Sequence, residues 1–311
     1  MSARRLAWLC SVLALLHAGA VQAATHRDDA GRDVVIDAPP RRVITLAPNL
    51  TEFVYAVGAG ASLVATVDAS VYPPQARALP HIGDHRRLDV ERILSLAPDL
   101  VLAWHHGNNG REIEQLQAAG VRFFFLEPRR LPDVPRALER VGELFARGEQ
   151  GRAKADALRR KLDALRSRYE RAAPVSVFYQ VWPQPLMTLN GDHLVSDMMT
   201  LCGARNVFAS LASLVPRLST EAVIAANPEV LLAPDLERQD GDAFRRDPTL
   251  AALAQWQRFD GMTAVKRGWF YALPAATFTG QSPRVAEGAA ALCAALDEVR
   301  RERAAAHQGA R

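Results

Sequence analysis

Residues 149–172 constrain the fold more than any other stretch. They are densely charged, contain no proline, and have no glycine beyond Gly151. Leu158, Leu162, Leu165 and Tyr169 recur at helical spacing, so one apolar stripe runs along a single face. The spacing predicts a helix roughly 36 Å long at 1.5 Å per residue, the span of a small domain. The heptad is not sustained, which argues against a coiled coil. A long, mostly solvated helix of this kind reads as a rigid connector between two bodies, each with its own core.

Both flanks repeat one rhythm. Before the connector, Val43-Ile44-Thr45-Leu46, Leu63 to Val67, Leu100 to Ala103 and Val121 to Leu126 are short apolar runs. After it come Val175 to Val181, Val230-Leu231-Leu232 and Trp269 to Leu273. Helical segments alternate with them: one after Asn49, one after Asp89, then Glu112 to Ala119, His193 to Leu201 and Val285 to Arg303. Asn49 reads as a helix cap, with Glu52 three residues on as in a capping box. Short strands alternating with helices imply parallel sheets covered on both faces. The organisation read from the chain is a hairpin at 24–40, an α/β lobe at 41–148, the connecting helix at 149–172, a second α/β lobe at 173–303, and a frayed tail at 304–311.

The first 23 residues stand apart. Arg4 and Arg5 precede an apolar stretch from Leu6 to Leu16, and Val21-Gln22-Ala23 fits the small-residue cleavage rule of a secretory signal. The stretch is too short for a permanent membrane helix. Beyond it only Cys202 and Cys293 remain, which in an exported chain suggests one disulfide, with two buried thiols as the alternative. The chain is 49% hydrophobic and 23% charged with a net charge of +4, an ordinary globular balance. Its basic residues are scattered rather than striped, which argues against a dedicated nucleic-acid binder.

An internal repeat at an offset of 130 residues links the two halves. Leu88-Asp89-Val90-Glu91 and Pro98-Asp99-Leu100-Val101-Leu102-Ala103 correspond to Leu218-Ser219-Thr220-Glu221 and Pro228-Glu229-Val230-Leu231-Leu232-Ala233. Glu91 and Glu221 therefore hold equivalent places. Each falls in the first turn of a helix, where a carboxylate complements the helix dipole. The alternative is a pair of docking charges, one per lobe. Nucleophile-elbow, zinc-protease, P-loop and dinucleotide motifs are absent, which argues against an enzyme. His81, His85, His105 and His106 fall at or near loops after strands, where a metal could be held, but their spacing is no metal signature. Tyr72, Trp104, Trp182, Met187 and Phe278 also fall near strand ends, and would line a cleft suited to a large, flat, partly apolar ligand.

Several of these segments together resemble a known family. They are Arg42-Val43-Ile44-Thr45-Leu46-Ala47-Pro48-Asn49-Leu50-Thr51-Glu52, Tyr72-Pro73-Pro74, Leu88 to Ile93, Pro98 to Trp104 with Gly107-Asn108, and Ser282-Pro283-Arg284. The chain resembles the periplasmic binding proteins of ABC importers for cobalamin, ferric siderophores and haem, the cobalamin receptors most of all. The resemblance runs from about Asp28 to Val299. It implies two Rossmann-like lobes joined by one long rigid helix, and a ligand held between them with little movement on binding. It implies no catalysis and no resident cofactor or metal; the bound molecule is cargo, cobalamin or another corrinoid. Glu91 and Glu221 match the glutamates that engage arginines of the inner-membrane permease, and Cys202 and Cys293 match a disulfide. The expected partners are that permease and the small molecule, with the protein a monomer in the periplasm.

The implied ligand contacts are Pro48 and Asn49 through backbone amides, then Tyr72, His85, Trp104, Trp182, Met187 and Phe278. Met187 stands where the cobalamin receptors have a phenylalanine, and His85 and Val215 where they have tryptophans. Ala276 and Gly280 replace an aspartate and an arginine. These departures leave a variant corrinoid, haem or a ferric chelate as alternative cargo, with His85 placed to sit over a bound metal.

Overall fold

A computed structural model of the chain describes residues 23–84, 86–105, 108, 110–235, 244–278 and 280–309. The signal-sequence reading, His85 and His106 lie outside the described residues. The chain begins with a hairpin of β1 (Ala24–Arg27) and β2 (Asp33–Ile36), paired antiparallel. Gly31 turns it at φ +76°, a conformation that glycine adopts without steric cost.

The first lobe follows as β3 (Val43–Thr45), α1 (Pro48–Ala56), β4 (Leu63–Thr66), α2 (Val90–Ser95), β5 (Leu100–Ala103), α3 (Gly110–Ala118) and β6 (Phe123–Phe125). Its strands form a four-stranded parallel sheet in the order β4-β3-β5-β6. Two helices then leave the sheet, α4 (Asp133–Leu144) and the 22-residue α5 (Gly148–Tyr169).

The second lobe holds β7 (Val175–Tyr179), the small hairpin of β8 (Trp182–Pro183) and β9 (Leu186–Met187), α6 (Leu194–Leu201), β10 (Ala204–Asn206), α7 (Thr220–Ala226) and β11 (Val230–Asp235). It closes with β12 (Arg245–Arg246), α8 (Thr263–Arg267), β13 (Phe270–Pro274), α9 (Ala275–Phe278) and α10 (Val285–Gly309). Its five-stranded sheet runs β10-β7-β11-β13-β12, parallel except for the edge strand β12.

Strand alternation decides which layer each side chain joins. Leu100 and Leu102 of β5 face one apolar cluster, and Val101 and Ala103 face another. Val230 and Leu232 of β11 join the same first cluster, while Leu231 and Ala233 face a third. That first cluster is shared by both lobes. It runs from Leu50 and Phe53 of α1 through Leu138 and Val141 of α4 and Leu158 and Leu162 of α5 to Met198 and Leu292. The apolar stripe of α5 is thus the seam joining the two halves. At the α4–α5 corner the backbones touch: a Cβ on Gly151 would lie 2.7 Å from the Leu138 carbonyl oxygen and 3.0 Å from the Gly142 Cα. The far end of α5 is tied to α10 by the Tyr169 hydroxyl, which donates to Asp297 at 2.9 Å. Cys202 and Cys293 form a disulfide between the end of α6 and α10.

The repeat at an offset of 130 residues is structural. Asp89 caps α2 by accepting from the Arg92 amide, and Ser219 caps α7 by accepting from the Ala222 amide. Both helices are followed by a residue in the left-handed region, Ala97 at φ 43° and Asn227 at φ 41°. A proline and an interior strand of the sheet come next in each lobe.

Two expectations are corrected, and one element is added. Asn49 does not cap α1: Pro48 occupies its first turn, Ala47 is the extended cap residue, and Asn49 is buried inside the helix. The tail at 304–311 is not frayed from Ala304, because α10 continues to Gly309. The added element is α4, in a segment to which the sequence reading assigns neither helix nor strand and which carries Pro132 and Pro135. Both prolines fall at the helix entry, where no backbone N–H is needed.

Candidate functional site

The carboxyl ends of the parallel strands carry the residues of interest, as in open α/β sheets generally. Past β3 and β4, the hydroxyls of Thr45, Thr51, Thr66 and Ser70 form a buried cluster with separations of 2.7–3.1 Å. It locks β3, α1 and β4 to the turn that leads to Tyr72. Tyr72 emerges 44% exposed.

Trp104 follows β5 directly. Its amide donates to Asn108 Oδ1 at 2.7 Å, and Asn108 Nδ2 donates to the Leu46 carbonyl at 2.8 Å, so the turn is pinned to the entry of α1. Trp104 is half-buried, and its Nε1 is enclosed without a hydrogen-bond partner among the described residues. Gln281 Oε1, in the second lobe, is likewise enclosed and unpartnered, on a residue held at φ 49°. One unmet donor and one unmet acceptor therefore lie on opposite lobes.

In the second lobe, β7 leads through Gln180 into the β8–β9 hairpin. Gln180 Oε1 accepts from Trp256 Nε1 and Gln255 Nε2, both at 2.8 Å, which fixes the base of the hairpin. Trp182 and Met187 are cross-strand partners there, Trp182 48% exposed and Met187 half-buried. Tyr72 and Trp182 are the exposed tyrosine, tryptophan or phenylalanine side chains among the described residues, one on each lobe.

Phe278 is placed differently from the expectation. It is fully buried, edge-on to Tyr179 at 6.0 Å and to Phe244 at 5.4 Å, and belongs to the core of the second lobe. Pro48 and Asn49 open α1 beside the Trp104 turn.

Among the described residues, two arginines form ion pairs across the lobe boundary, Arg284 with Glu52 and Arg130 with Asp197 and, at 3.5 Å, Asp192. Arg284, just before α10, donates from Nε and Nη2 to the two carboxylate oxygens of Glu52 on α1, each at 2.8 Å. Arg130 of the first lobe makes a second bidentate pair with Asp197 of α6, at 2.9 and 2.6 Å. Arg284 also lies over the Tyr72 ring, its guanidinium carbon 3.8 Å from the centroid. Sequence reasoning read Glu52 as a local capping residue and gave Arg284 no role. The one available signal was an arginine placed directly after Ser-Pro and before a helix.

Glu91 and Glu221 are both exposed in the first turns of α2 and α7. The backbone N–H of Glu221, and then the Ser219 hydroxyl, hold its carboxyl below the usual carboxylate range. Beside Glu91 a groove of about 690 Å³ runs between the 83–91 segment and α3, with Asp68, Asp84, Asp89 and Glu112 on its walls and Arg87 among them. Among the described residues, no three His, Cys, Asp or Glu side chains gather as a metal site. No described helix is long and apolar enough to cross a membrane.

A family model for periplasmic binding proteins matches residues 43–277. A vitamin B12-binding protein of Photorhabdus laumondii is 38% identical over 195 residues, covering 63% of this chain and 71% of the relative. Another from Yersinia pestis is 37% identical over 198 residues, covering 64% and 71%. Of solved structures, the periplasmic vitamin B12 binding protein BtuF of Vibrio cholerae is 31% identical, with a TM-score of 0.72 over 84% of this chain and 98% of that one. The periplasmic heme-binding protein RhuT from Roseiflexus sp. RS-1 is 26% identical, with a TM-score of 0.70 over 82% and 97%. Two α/β lobes on one helical seam, matched over most of their length by these proteins, place the chain in the periplasmic binding protein family.

Proposed function

We propose that this protein is the periplasmic binding component of an ABC importer, capturing cobalamin or a related corrinoid between its lobes and delivering it to the membrane permease. The observation that carries the reading is the pair of exposed aromatics, Tyr72 and Trp182, one on each lobe in the segments that follow a parallel strand. A large, flat, partly apolar ring system is the ligand such walls stack against. The 38% identity to a protein named for binding vitamin B12 supports the same cargo. Trp104 and Met187, both half-buried, complete the walls. The binding is non-catalytic, and the molecule carried is cargo rather than cofactor. Export by the cleavable leader at 1–23 and action as a monomer complete the proposal.

Glu91 and Glu221 are the docking charges of this reading, carried at equivalent places on the two lobes for arginines of the permease. Haem or a ferric siderophore is the second reading, favoured by the structural likeness to a heme-binding relative and by the loss of polar side chains at Ala276 and Gly280.

The test is a titration of the mature protein with cyanocobalamin, dicyanocobinamide and hemin, read by absorbance and calorimetry. Submicromolar binding of a corrinoid is the expected outcome. Binding of hemin alone, with an intense Soret band sensitive to Tyr72→Phe, overturns the corrinoid reading in favour of haem.

A further inference from the structure

We propose that Arg284 is a positioning residue for the ligand wall: clamped by Glu52 across the lobe boundary, it holds the Tyr72 ring in the orientation that receives the cargo. This rests on the reading of Tyr72 as a wall of the cleft. Three observations converge on it. The Glu52 carboxylate is nearly buried, its side chain 6% exposed, and it accepts both of its hydrogen bonds from one guanidinium. A bidentate fork of this kind fixes the plane of the guanidinium as well as its position, which a single point charge cannot do. The same plane lies 3.8 Å from the Tyr72 centroid, close enough to attract the ring's negative face. The side chain of Tyr72 nonetheless keeps 44% of its surface exposed. One face of the ring is thus covered by a fixed cation, and the exposed part is presented to the cleft.

The construction joins three elements that sequence keeps far apart. Glu52 belongs to α1 and Tyr72 to the turn after β4, while Arg284 enters from the other lobe. Ser282 steadies the approach, its Oγ accepting from the Arg284 amide at 3.2 Å. Because Arg284 comes from the second lobe, the ring on the first lobe is registered against the second before any ligand arrives. A ring already ordered costs less to immobilise on binding than one that must be gathered from several rotamers.

The test has a ligand-free arm and a binding arm. In the first, the five tyrosines are labelled with ¹³C in the ring, and Tyr72→Phe assigns the Tyr72 signal. Glu52→Gln and Arg284→Lys are expected to shift or broaden that signal and leave the other four in place. An unchanged Tyr72 signal in both variants overturns the proposal, as does an equal shift of all five, which reports general loosening. This arm is decisive even where the wild-type protein binds none of the corrinoids.

In the second arm, affinity for cyanocobalamin, or for hemin if that is the ligand bound, is measured in a double-mutant cycle. Arg284→Ala is expected to weaken binding about tenfold in the wild-type background and under twofold in a Tyr72→Ala background. Arg284→Lys, which keeps the charge but not the fork, is expected to fall between. Equal losses in the two backgrounds show that Arg284 acts without Tyr72 and overturn the proposal. Failure of the wild type to bind any of the three ligands counts against the proposed function instead, and leaves the ring-signal result to decide the role of Arg284.

Discussion

Arg284 and Glu52, 232 positions apart in sequence, meet through two parallel hydrogen bonds of 2.8 Å. Arg130 and Asp197 form the mirror arrangement, with the arginine on the first lobe and the carboxylate on the second. The lobes are therefore clasped in both directions, and the two clasps differ in burial. Side-chain exposures are 17% for Arg284 and 6% for Glu52, against 47% for Arg130.

Burial sets what each clasp contributes. Glu52→Ala strands a largely desolvated guanidinium and is expected to destabilise the protein by about 3 kcal/mol. Asp197→Ala leaves Arg130 to water and to Asp192, which already lies 3.5 Å from it, and is expected to cost about 1 kcal/mol, raised slightly by the loss of the Leu131 amide's acceptor. Urea unfolding of the two variants measures the difference; equal losses contradict the argument from burial.

Gly151→Ala tests the α4–α5 corner. Alanine is the better helix former by about 1 kcal/mol. Its methyl group would meet the Leu138 carbonyl oxygen and the Gly142 Cα, which are backbone atoms and cannot rotate away. A net loss of about 2 kcal/mol is expected from overpacking. A variant that melts above the wild type would show that the two helices can separate at no cost.

His193 gives the fold a pH dependence of known sign. Burial pushes this imidazole down to about 4, with Asp197 opposing the shift, and its Nδ1 caps α6 by accepting from the Val195 amide. The folded pKa lies below the unfolded value of 6.5, so between pH 6.5 and about 4 the unfolded chain takes up the proton first. The stability contribution is fully present above 6.5 and declines as pH falls through that window, by about 3 kcal/mol in all. Serine at 193 keeps an N-cap acceptor without a titration. Denaturant unfolding at pH 7 and pH 4.5 is expected to show a smaller difference for His193→Ser than for the wild type.

Glu91→Ala combined with Glu221→Ala separates docking from binding. Both side chains are exposed in the first turns of their helices, so ligand affinity is expected to stay within about twofold of wild type. Permease-coupled uptake is expected to fall to background. Unchanged transport in the double variant returns both carboxylates to a purely local role at their helix ends.

Local signals in the chain were legible because each element is punctuated by its own chemistry. The strands read out as short apolar runs, and the segments opening at Asp89 and Ser219 begin helices that the structure reproduces. The seam along α5 was legible for the same reason, its stripe having helical spacing. α4 was hidden because proline is a poor guide when it falls at a helix entry rather than in a helix interior. Tyr72 and Trp182 are exposed whereas Phe278 is buried, and nothing in an aromatic residue near a strand end distinguishes a wall from a core. The Glu52–Arg284 clasp was illegible in principle. Its partners come from opposite ends of the chain, and a glutamate three residues after an asparagine has a plausible local explanation that conceals the distant one.

The two lobes are connected by a single passage of the chain, and that passage is a stiff helix whose stripe is buried in the shared core. Nothing along it resembles a hinge loop that absorbs large rotations. Capture is then a matter of fit to a standing shape rather than of jaws that shut. In a rapid-mixing experiment such a receptor shows an observed association rate that climbs linearly with ligand concentration, without the plateau that marks a slow rearrangement, and differences in affinity among ligands appear in how long each one stays.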